Sequence, residues 1–401
     1  MPQRLKALLA NTALVVISLA ITYLVGEFVF FRYLLPDMSM NLRPHLPDRA
    51  DFFLQNSKAR HVPHDYIALV GDSYAQGMGD WLLAVGGKSD QPYHSANVIH
   101  ELLDRDVVTF GRASAGSAEG MVLRLTRILG DGYCYIFPPI EEPKQFFIYF
   151  YEGNDIDDNN ELLQRAIKDR GGDLAARIDK FLNTDFGVVS SWRCHGHLGD
   201  MMFRMARFVV RDAFATHHII DLPATQNRVV IAGVPTGTSE LQVPSMDLSE
   251  QQIDDGVTVY DRSLAWLRRK YPSIPTTVVY IPSPAATYRQ ANPEVISKDV
   301  FIPAESLREG RLVIVDGRPF PAAGIYEHSQ RICEKIRAAT LRQGVAFIDA
   351  RPLMRKAAAL QAIHGPRDWN HPNERGYRLL GTLVAAHVND HPADACDDSW
   401  P

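Results

Sequence analysis

Cysteine is scarce in this sequence, and so are signs of a nucleic-acid partner. Only four of the 401 residues are cysteine, which is too few for a disulfide scaffold of this size. None of them forms a Cys-x-x-Cys pair, so the minimum signature of a zinc ribbon or a thioredoxin-like motif is missing. The formal net charge is −5 and no long basic run is present, so we expect no nucleic-acid interface.

Motifs of several other enzyme classes are absent or incomplete. Gly87-Lys88-Ser89 resembles the end of a phosphate-binding loop, but Leu82 occupies the position of its first glycine. No Gly-x-Ser-x-Gly motif is present, which argues against the α/β-hydrolase fold. The histidine pairs His195/His197 and His217/His218 lack the i, i+4 spacing and the carboxylates of a helical metal site. We therefore expect neither a metal ion nor an organic cofactor.

An uncharged apolar segment lies near the N-terminus. Residues 7–26 form a run of 20 residues without a charge. As a helix that rises about 1.5 Å per residue, this run would extend about 30 Å, the thickness of a bilayer core. Arg4 and Lys6 precede the run, and an aromatic stretch with Arg32 follows it. By the positive-inside rule, these flanks predict a cytoplasmic N-terminus and place everything after residue 32 in the periplasm or at the cell exterior.

The start of the chain is therefore predicted to have three segments. They are a cytoplasmic tail, a transmembrane anchor and a linker, over residues 1–6, 7–31 and 32–64. A signal peptide cleaved after Ser18-Leu19-Ala20 is the alternative. We favour an uncleaved anchor because the apolar run continues to Phe31 with only Glu27 interrupting it, which is longer than a typical signal-peptide core.

Short apolar runs alternate with helical patterns along the rest of the chain. The runs that are typical of buried strands cover residues 66–70, 107–110, 145–151, 228–234, 276–281 and 345–349. One helical pattern covers about 249–271 and opens with the capping-box spacing Ser249…Gln252. Another covers about 325–343, with Gly344 as its stop. This alternation predicts an α/β fold with a doubly wound parallel sheet.

Two segments interrupt the alternation and are predicted to be insertions in a domain over residues 65–390. They lie near residues 156–225 and 286–325. The second contains an apparent hairpin over 312–320 that turns at Asp316-Gly317. Because loops at the carboxyl ends of parallel strands form the ligand crevice, either insertion could shape a substrate pocket. Residues 391–401 are expected to form a C-terminal tail.

The first insertion also contains a cluster of large apolar side chains. Its members are Met201, Met202, Phe203, Met205 and Phe208. We interpret the cluster as packing of the core or of a lid rather than as a cofactor site.

A serine and an Asp-His pair stand at opposite ends of this domain. Ser73, in Gly71-Asp72-Ser73, follows the first apolar run, where a strand-to-helix turn would expose its hydroxyl at the carboxyl edge of the sheet. Asp368 and His371 lie three residues apart near the C-terminus. A serine needs a positioned base, and the base needs an orienting acceptor, which this pair can supply. Either motif alone also arises as an ordinary turn.

Two further strand ends carry groups suited to stabilising negative charge. Asn154 follows the run at 145–151, and its amide can donate to a developing oxyanion. Gly111 follows the run at 107–110, where the lack of a Cβ allows a backbone N–H to approach a substrate closely.

In this order, the four segments resemble the four sequence blocks of the SGNH (GDSL-like) hydrolase superfamily, over about residues 66–385. The resemblance implies a three-layer α/β sandwich. It also implies Ser73 as nucleophile, His371 as base and Asp368 as the acid that orients the base. The oxyanion hole would consist of the Ser73 N–H, the Gly111 N–H and the Asn154 side chain.

The sequence departs from the family pattern at three positions. Tyr74 replaces the usual leucine after the nucleophile, and Thr109 stands where the second block usually has asparagine. Gly153 lies next to the asparagine of the third block rather than two residues before it. The last two departures concern the oxyanion hole and leave the prediction of the triad little affected. Gly116 is the alternative to Gly111 as the backbone donor.

These features predict a membrane-anchored serine esterase that removes O-acyl groups from an envelope glycan or a lipid ester through an acyl-serine intermediate. Its expected partners are the acylated small molecule, glycan or lipid and the membrane itself. An O-acyltransferase would use the same triad, and a non-catalytic envelope binding or assembly module is a third alternative. We favour hydrolysis because the insertions offer few aromatic residues for stacking a sugar acceptor. The candidates are Phe181, Phe186 and Trp192 in the first part of one insertion and Tyr288 and Phe301 in the other.

An extracytoplasmic domain could also form disulfides. Its four cysteines are Cys134, Cys194, Cys333 and Cys396, which allow three pairings. We favour Cys134–Cys194 because both residues lie in or beside the first insertion.

Overall fold

The computed structural model has a parallel β-sheet at its centre. It describes residues 3–34, 52–60, 62–79, 92–130, 139–167, 172–186, 198–203, 206–207, 226–238, 241–297, 300–301, 313–314, 317–366 and 368–400. The central strands are β1 (Ile67–Val70), β2 (Val107–Thr109), β3 (Gln145–Tyr151), β4 (Thr276–Ile281) and β5 (Ala346–Asp349). They lie in the order β5-β4-β3-β1-β2, and each neighbouring pair is parallel.

Both faces of this sheet are buried, which explains why its strands are apolar throughout. Successive side chains of a strand point to opposite faces. In β1, Ala68 and Val70 join one core cluster, while Ile67 and Leu69 join the other. Such two-sided burial is expected of a parallel sheet whose crossover helices cover both faces. The predicted doubly wound α/β fold is confirmed.

Helices form the two outer layers. Named in chain order, together with the N-terminal helix, the helices are α1 (Gln3–Val29), α2 (Ser73–Gln76), α3 (Ser95–Leu103), α4 (Leu125–Leu129), α5 (Asp155–Ala166), α6 (Leu174–Phe181), α7 (Glu250–Lys270), α8 (Pro284–Thr287), α9 (Ala322–Arg342), α10 (Arg351–Ala358) and α11 (Glu374–Ala386), and residues 198–203 form a further short helical segment. The apolar faces of α3, α10 and α11 cover one side of the sheet. The other side is covered by α5, α7 and α9, together with the π-helical turn Glu119–Arg124 that leads into α4.

The two long helices expected from the sequence are present. The side chain of Ser249 caps α7 and forms the predicted capping box with Gln252. Helix α9 is followed by Gly344 in the left-handed region, at a φ of 64°. These local signals fixed both helix ends because they depend on neighbouring residues only.

The apolar run at 228–234 does not belong to the central sheet, so this part of the strand prediction was wrong. It forms an antiparallel hairpin of Arg228–Ile231 with Val234–Gly237, and Arg289–Gln290 pairs with its outer side. Ala232 and Gly233 make the turn with φ values of 50° and 78°. A two-residue turn with both φ values positive joins strands directly, which leaves no room for a crossover helix.

The predicted hairpin over 312–320 is also paired differently. Val313–Ile314 pairs with Val300–Phe301, and Pro319–Pro321 pairs with Glu294–Ile296. Both pairings are antiparallel to upstream strands, so the described residues of the two halves, 313–314 and 317–320, share no ladder with each other. The proline nitrogens at the ends of the last strand carry no N–H, which suits a short two-stranded ribbon.

The C-terminal segment packs against the domain. A disulfide joins Cys333 of α9 to Cys396. Backbone hydrogen bonds link Phe347 of β5 to Pro392 and Asp394, so the segment runs beside the edge strand of the sheet. The favoured pair, Cys134 and Cys194, lies outside the described residues, and the bridge between them stays a prediction.

Helix α1 has the length and composition to cross a membrane. The apolar stretch Leu9–Leu34 has a mean hydropathy of 2.3 and is mostly exposed, with 11% of its most apolar window buried. Most of its large apolar side chains point away from the domain. At its end the turn Phe30–Leu34 carries Phe31, which is fully buried in the domain core.

Candidate active site

The candidate site lies where the order of the sheet reverses. From β1 the chain proceeds to β2 on one side, whereas β3 lies on the other side of β1. The carboxyl ends of the two strands beside such a switch point form the usual ligand crevice of an open α/β sheet. Ser73 follows β1 and Asn154 follows β3, so both predicted residues lie at this edge.

The turn that carries Ser73 depends on two special backbone positions. Gly71 has a φ of 150°, and a Cβ there would lie 2.6 Å from the carbonyl oxygen of Tyr149. Asp72 caps α2 by accepting the Tyr74 N–H at 2.9 Å. The helix ends after one turn at Gly77, at a φ of 86°. The strand therefore leads directly into a tight turn, with Ser73 at the first helical position.

Ser73, His371 and Asp368 form a continuous hydrogen-bonded chain. His371 Nε2 lies 3.0 Å from Ser73 Oγ, and His371 Nδ1 lies 2.7 Å from Asp368 Oδ2. The second carboxylate oxygen, Asp368 Oδ1, accepts the backbone N–H groups of Asn370 and His371 at 2.9 and 3.1 Å. The carboxylate thus fixes both the ring and the loop that carries it, as a base and its orienting acid require.

The electrostatics of Asp368 favour its charged form. Burial alone would raise the pKa of this carboxyl, but the neighbouring His371 and the hydrogen bonds it receives outweigh burial and hold the pKa below its usual range. An ionised Asp368 accepts a hydrogen bond from the His371 Nδ1–H, so Nε2 is the unprotonated nitrogen that can take the Ser73 hydroxyl proton.

Tyr74 explains one departure from the family pattern. Its hydroxyl donates to the carbonyl oxygen of Asn370 at 2.6 Å, and its ring stacks on Tyr151 at a centroid distance of 4.0 Å. The Asn370 side chain in turn accepts the backbone N–H of Gln242 at 2.9 Å. A leucine could not make the first of these bonds, so Tyr74 ties the nucleophile turn to the loop of His371. The sequence marked this position as unusual without indicating its role.

Asp72 gives the Ser73 hydroxyl a second acceptor. Ser73 Oγ lies 3.3 Å from Asp72 Oδ2, slightly farther than it lies from His371 Nε2. Asp72 is fully buried, and burial raises its pKa to about 6, although the bond from the Tyr74 N–H opposes this rise.

The Gly111 N–H does not face an open site, contrary to the expectation from the sequence. It donates to Thr109 Oγ1 at 3.0 Å, and the same hydroxyl donates to the carbonyl oxygen of Ala75 at 2.5 Å. A Cβ on Gly111 would lie 2.3 Å from the backbone nitrogen of Gln76. The glycine is therefore needed for close packing against α2. Its N–H is already hydrogen-bonded to Thr109 Oγ1.

Further along this loop, Ser114 offers a backbone N–H without an acceptor. Arg112 N–H donates to the carbonyl oxygen of Gly71 at 3.2 Å, and Ala113 N–H donates to Gln76 Oε1 at 2.6 Å. The Ser114 N–H has no acceptor among the described residues. Ser114 is exposed and has a φ of 56°, a value that is uncommon outside glycine and that often marks functional turns. Sequence reasoning missed this residue because backbone conformation has no side-chain signature.

Asn154 lies half-buried at the start of α5 with its side chain unbonded. Its Oδ1 is buried and has no partner within the described part of the chain, and its amide makes no hydrogen bond there. Gly153 has a steric reason for its unusual place: a Cβ there would lie 2.3 Å from the ring of Tyr151, the ring on which Tyr74 stacks.

A charged cleft includes Ser114 in its lining. It has a volume of about 500 Å3 and is bounded by the loop of Ser114, the turn Glu119–Arg124, α4 and α5. Its basic residues are Arg112, Arg124, Arg127 and Arg165, and its acidic residues are Glu119, Asp158 and Glu161. Burial raises the pKa of Asp158 to about 7, with the nearby Asp72 adding to the effect. Such a lining suits a polar ligand better than a long acyl chain.

Comparisons with known proteins add fold neighbours at low similarity. No family model and no curated protein matches the sequence. Among solved structures, the chain is similar to a lipolytic protein of the G-D-S-L family from Desulfitobacterium hafniense DCB-2, at 10% identity and a TM-score of 0.35. That alignment covers 80% of this chain and 99% of the other.

Two further neighbours are carbohydrate esterases. One is a carbohydrate esterase family 2 enzyme with a carbohydrate-binding domain from Corynascus thermopiles (Myceliophthora fergusii), at 12% identity and a TM-score of 0.34, with 82% of this chain and 66% of the other covered. The other is an acetyl xylan esterase from Butyrivibrio proteoclasticus, at 10% identity and a TM-score of 0.34, with 82% and 64% covered. At such TM-scores no function is transferred from these structures.

Proposed function

We propose that the protein is a serine esterase in which Ser73 attacks the ester and His371, oriented by Asp368, acts as general base and acid. The observation that carries this proposal is the continuous chain from Ser73 Oγ through both nitrogens of His371 to Asp368, with distances of 3.0 and 2.7 Å. A binding module would not require a serine hydroxyl to share a hydrogen bond with an oriented imidazole. The non-catalytic alternative is therefore disfavoured.

The reaction would proceed in two acyl-transfer steps. As Ser73 Oγ bonds to the acyl carbon, His371 Nε2 takes the hydroxyl proton and the carbonyl oxygen becomes an oxyanion. Collapse of this intermediate breaks the bond to the alcohol oxygen, which leaves with the proton from His371. Water then attacks the acyl-Ser73 ester in the same way and releases the free acid. Asp368 stays ionised throughout and stabilises the imidazolium.

The proposed oxyanion hole uses donors that have no internal acceptor. The Ser73 N–H at the start of α2 and the Asn154 side chain both meet this condition among the described residues. For the third donor we favour the Ser114 N–H over that of Gly111, because the latter is bonded to Thr109 Oγ1. A donor that must first break an internal bond gives less stabilisation to an oxyanion.

The proposed location is a membrane, with α1 as an uncleaved anchor and the domain outside the cytoplasm. Support comes from the length and exposure of the stretch Leu9–Leu34 and from Arg4 and Lys6 before it. A reporter fused after Pro401 should be active only if it functions outside the cytoplasm. Activity of a cytoplasm-dependent reporter would contradict this topology.

The charged cleft favours an acylated glycan as substrate over a lipid ester. Arginine and carboxylate side chains can hydrogen-bond to sugar hydroxyls and to charged sugar substituents. A long acyl chain would instead need an apolar channel beside Ser73, whereas the cleft at the Ser114 loop is lined by charged side chains. The proposed reaction is therefore release of an O-acyl group from a polar glycan.

Hydrolysis and acyl transfer can be separated by varying the acceptor. A hydrolase lets water reach the acyl-Ser73 ester, whereas a transferase holds a sugar hydroxyl there at high effective concentration. The experiment measures acyl release from a short aryl ester while candidate glycan acceptors are titrated. We expect free acid at a rate that does not depend on the acceptor. Turnover that requires the acceptor and yields acylated glycan would instead identify a transferase.

A further inference from the structure

A short helical segment is hydrogen-bonded to α1 near the C-terminal end of that helix. Residues 198–203 are helical, and their first backbone N–H groups have acceptors on α1. The Leu198 N–H donates to Glu27 Oε1 at 3.0 Å, and the Gly199 N–H donates to the hydroxyl of Tyr23 at 3.0 Å. The first N–H groups of a helix lack acceptors within it, so α1 supplies the cap of this segment.

One side of the segment belongs to the core, and the other carries exposed apolar side chains. Met201 is buried in the same cluster as Phe31 of the turn that follows α1. Met202 and Phe203, by contrast, are 60% and 67% exposed. Outside α1 and its following turn, the other large apolar side chains that the described residues leave exposed are Leu102, Val234 and Leu360. No two of these are adjacent in sequence, so Met202 and Phe203 form the one such pair among them.

The cap places this pair at the edge of the apolar span. The uncharged run of α1 ends just before Glu27, which is fully buried by the domain. At a rise of about 1.5 Å per residue, Tyr23 lies roughly 6 Å along α1 from Glu27, on the side of the apolar span. The segment 198–203 is short, so its exposed side chains lie close to Tyr23 and Glu27. With α1 across a bilayer, this is the depth at which acyl chains meet headgroups. The exposed Arg207 follows in the sequence and suits the headgroup side.

We propose that Met202 and Phe203 insert into the outer interface of the lipid bilayer and form a second membrane contact beside the anchor. The proposal rests on the proposed spanning role of α1. The contact is continuous with α1 through the two cap hydrogen bonds, and large apolar side chains with a nearby arginine are the composition of an interfacial segment. The domain would then be held against the membrane surface in one orientation rather than suspended on a flexible tether.

Site-specific photo-crosslinking tests this contact in the full-length protein. A benzophenone amino acid is placed at position 16, 203 or 360, and each variant is reconstituted in vesicles of phosphatidylethanolamine and phosphatidylglycerol. Position 16 reports on the anchor, and position 360 is a matched control because Leu360 is 71% exposed and lies far along the chain from α1. Turnover of a soluble aryl ester, which needs none of the three side chains, shows that each variant is folded.

The expected result is lipid adducts by mass spectrometry at positions 16 and 203, with at least about tenfold less adduct at 360. Adducts at 16 without adducts at 203 would overturn the second contact and leave the anchor standing. Absence of lipid at 16 would contradict the anchor and the inference that rests on it. A protein adduct in place of lipid at 203 in native membranes would assign this surface to a protein partner instead.

Discussion

The proposed acid–base half and the proposed oxyanion half of the candidate site lie at the same sheet edge but differ in their hydrogen bonding. In the first, His371 and Asp368 are bonded at every polar position that the proposed mechanism uses. In the second, the Ser73 N–H, the Ser114 N–H and the Asn154 side chain have no partner among the described residues. The contrast fits the two tasks, because a base must be oriented before substrate arrives whereas oxyanion donors must be available to it.

The same difference in hydrogen bonding distinguishes the Gly111 N–H from the backbone donors proposed for the oxyanion half. The Gly111 N–H already has an acceptor, Thr109 Oγ1, as the groups of the acid–base half do. The lack of a Cβ at Gly111 instead allows the loop to pack closely against α2. Whether a backbone N–H can serve as an oxyanion donor thus depends on its neighbours, here on Thr109. The comparison gives three predictions, taken from the largest effect to the smallest.

The acid–base half should behave as one unit. Ser73→Ala and His371→Ala should each lower kcat by about 10⁴-fold or more, and the double variant should lose little beyond either single change. The reason is that neither group activates the ester without the other. Turnover of an aryl ester by the three variants measures this, with Ser273→Ala and His391→Ala as controls at exposed positions. Additive losses in the double variant would show that the two residues act independently.

The oxyanion half should show smaller, separable losses. Asn154→Ala should lower kcat by about 10²–10³-fold and change KM less, since the lost amide would contact charge that develops in the transition state. Asn154→Asp, which keeps the shape but lacks the amide donor, should be impaired as well. Asn183→Ala removes an exposed amide from the turn after α6 and should be neutral. An effect of Asn154→Ala confined to KM would place this residue in substrate binding instead.

The smallest effect is expected at Thr109. Thr109→Val removes the acceptor of the Gly111 N–H and the donor to Ala75, so the free energy of unfolding should fall by about 1–3 kcal/mol. Turnover of the folded enzyme should stay within about threefold of wild type, because the proposed donor is Ser114. Urea unfolding and kcat measured on the same preparation separate the two effects. A clear rise in kcat would instead indicate that the Gly111 N–H, which loses its acceptor in this variant, is an oxyanion donor.

The sequence was most informative where a role needs a particular side chain in a local pattern. Ser73, Asp368 and His371 each lie in a short motif, and in the structure the three form one hydrogen-bonded chain. The central strands were recognisable because burial on both faces requires continuous apolar runs. The capping box at Ser249 fixed the start of α7 from two residues alone.

Features that depend on backbone conformation or on a particular hydrogen-bond partner were not recognisable. The run at 228–234 has a strand-like composition, but only the turn at Ala232-Gly233 decides that it pairs in a hairpin. The availability of backbone N–H groups at Gly111 and Ser114 depends on Thr109 and on local φ values, neither of which a pattern of residue types expresses. The role of Tyr74 likewise depends on Asn370, 296 residues away along the chain.

The central claim is that Ser73 forms a covalent bond to the acyl group, and intact-mass spectrometry with an ester-mimicking fluorophosphonate tests it most directly. The full-length protein should gain one adduct, and peptide mapping should locate it on Ser73. His371→Ala should form this adduct at least about a hundredfold more slowly, because the hydroxyl then lacks its base. Ser73→Ala should form none. Labelling of wild type and Ser73→Ala at equal rates, or an adduct mapped to another residue, would contradict the account.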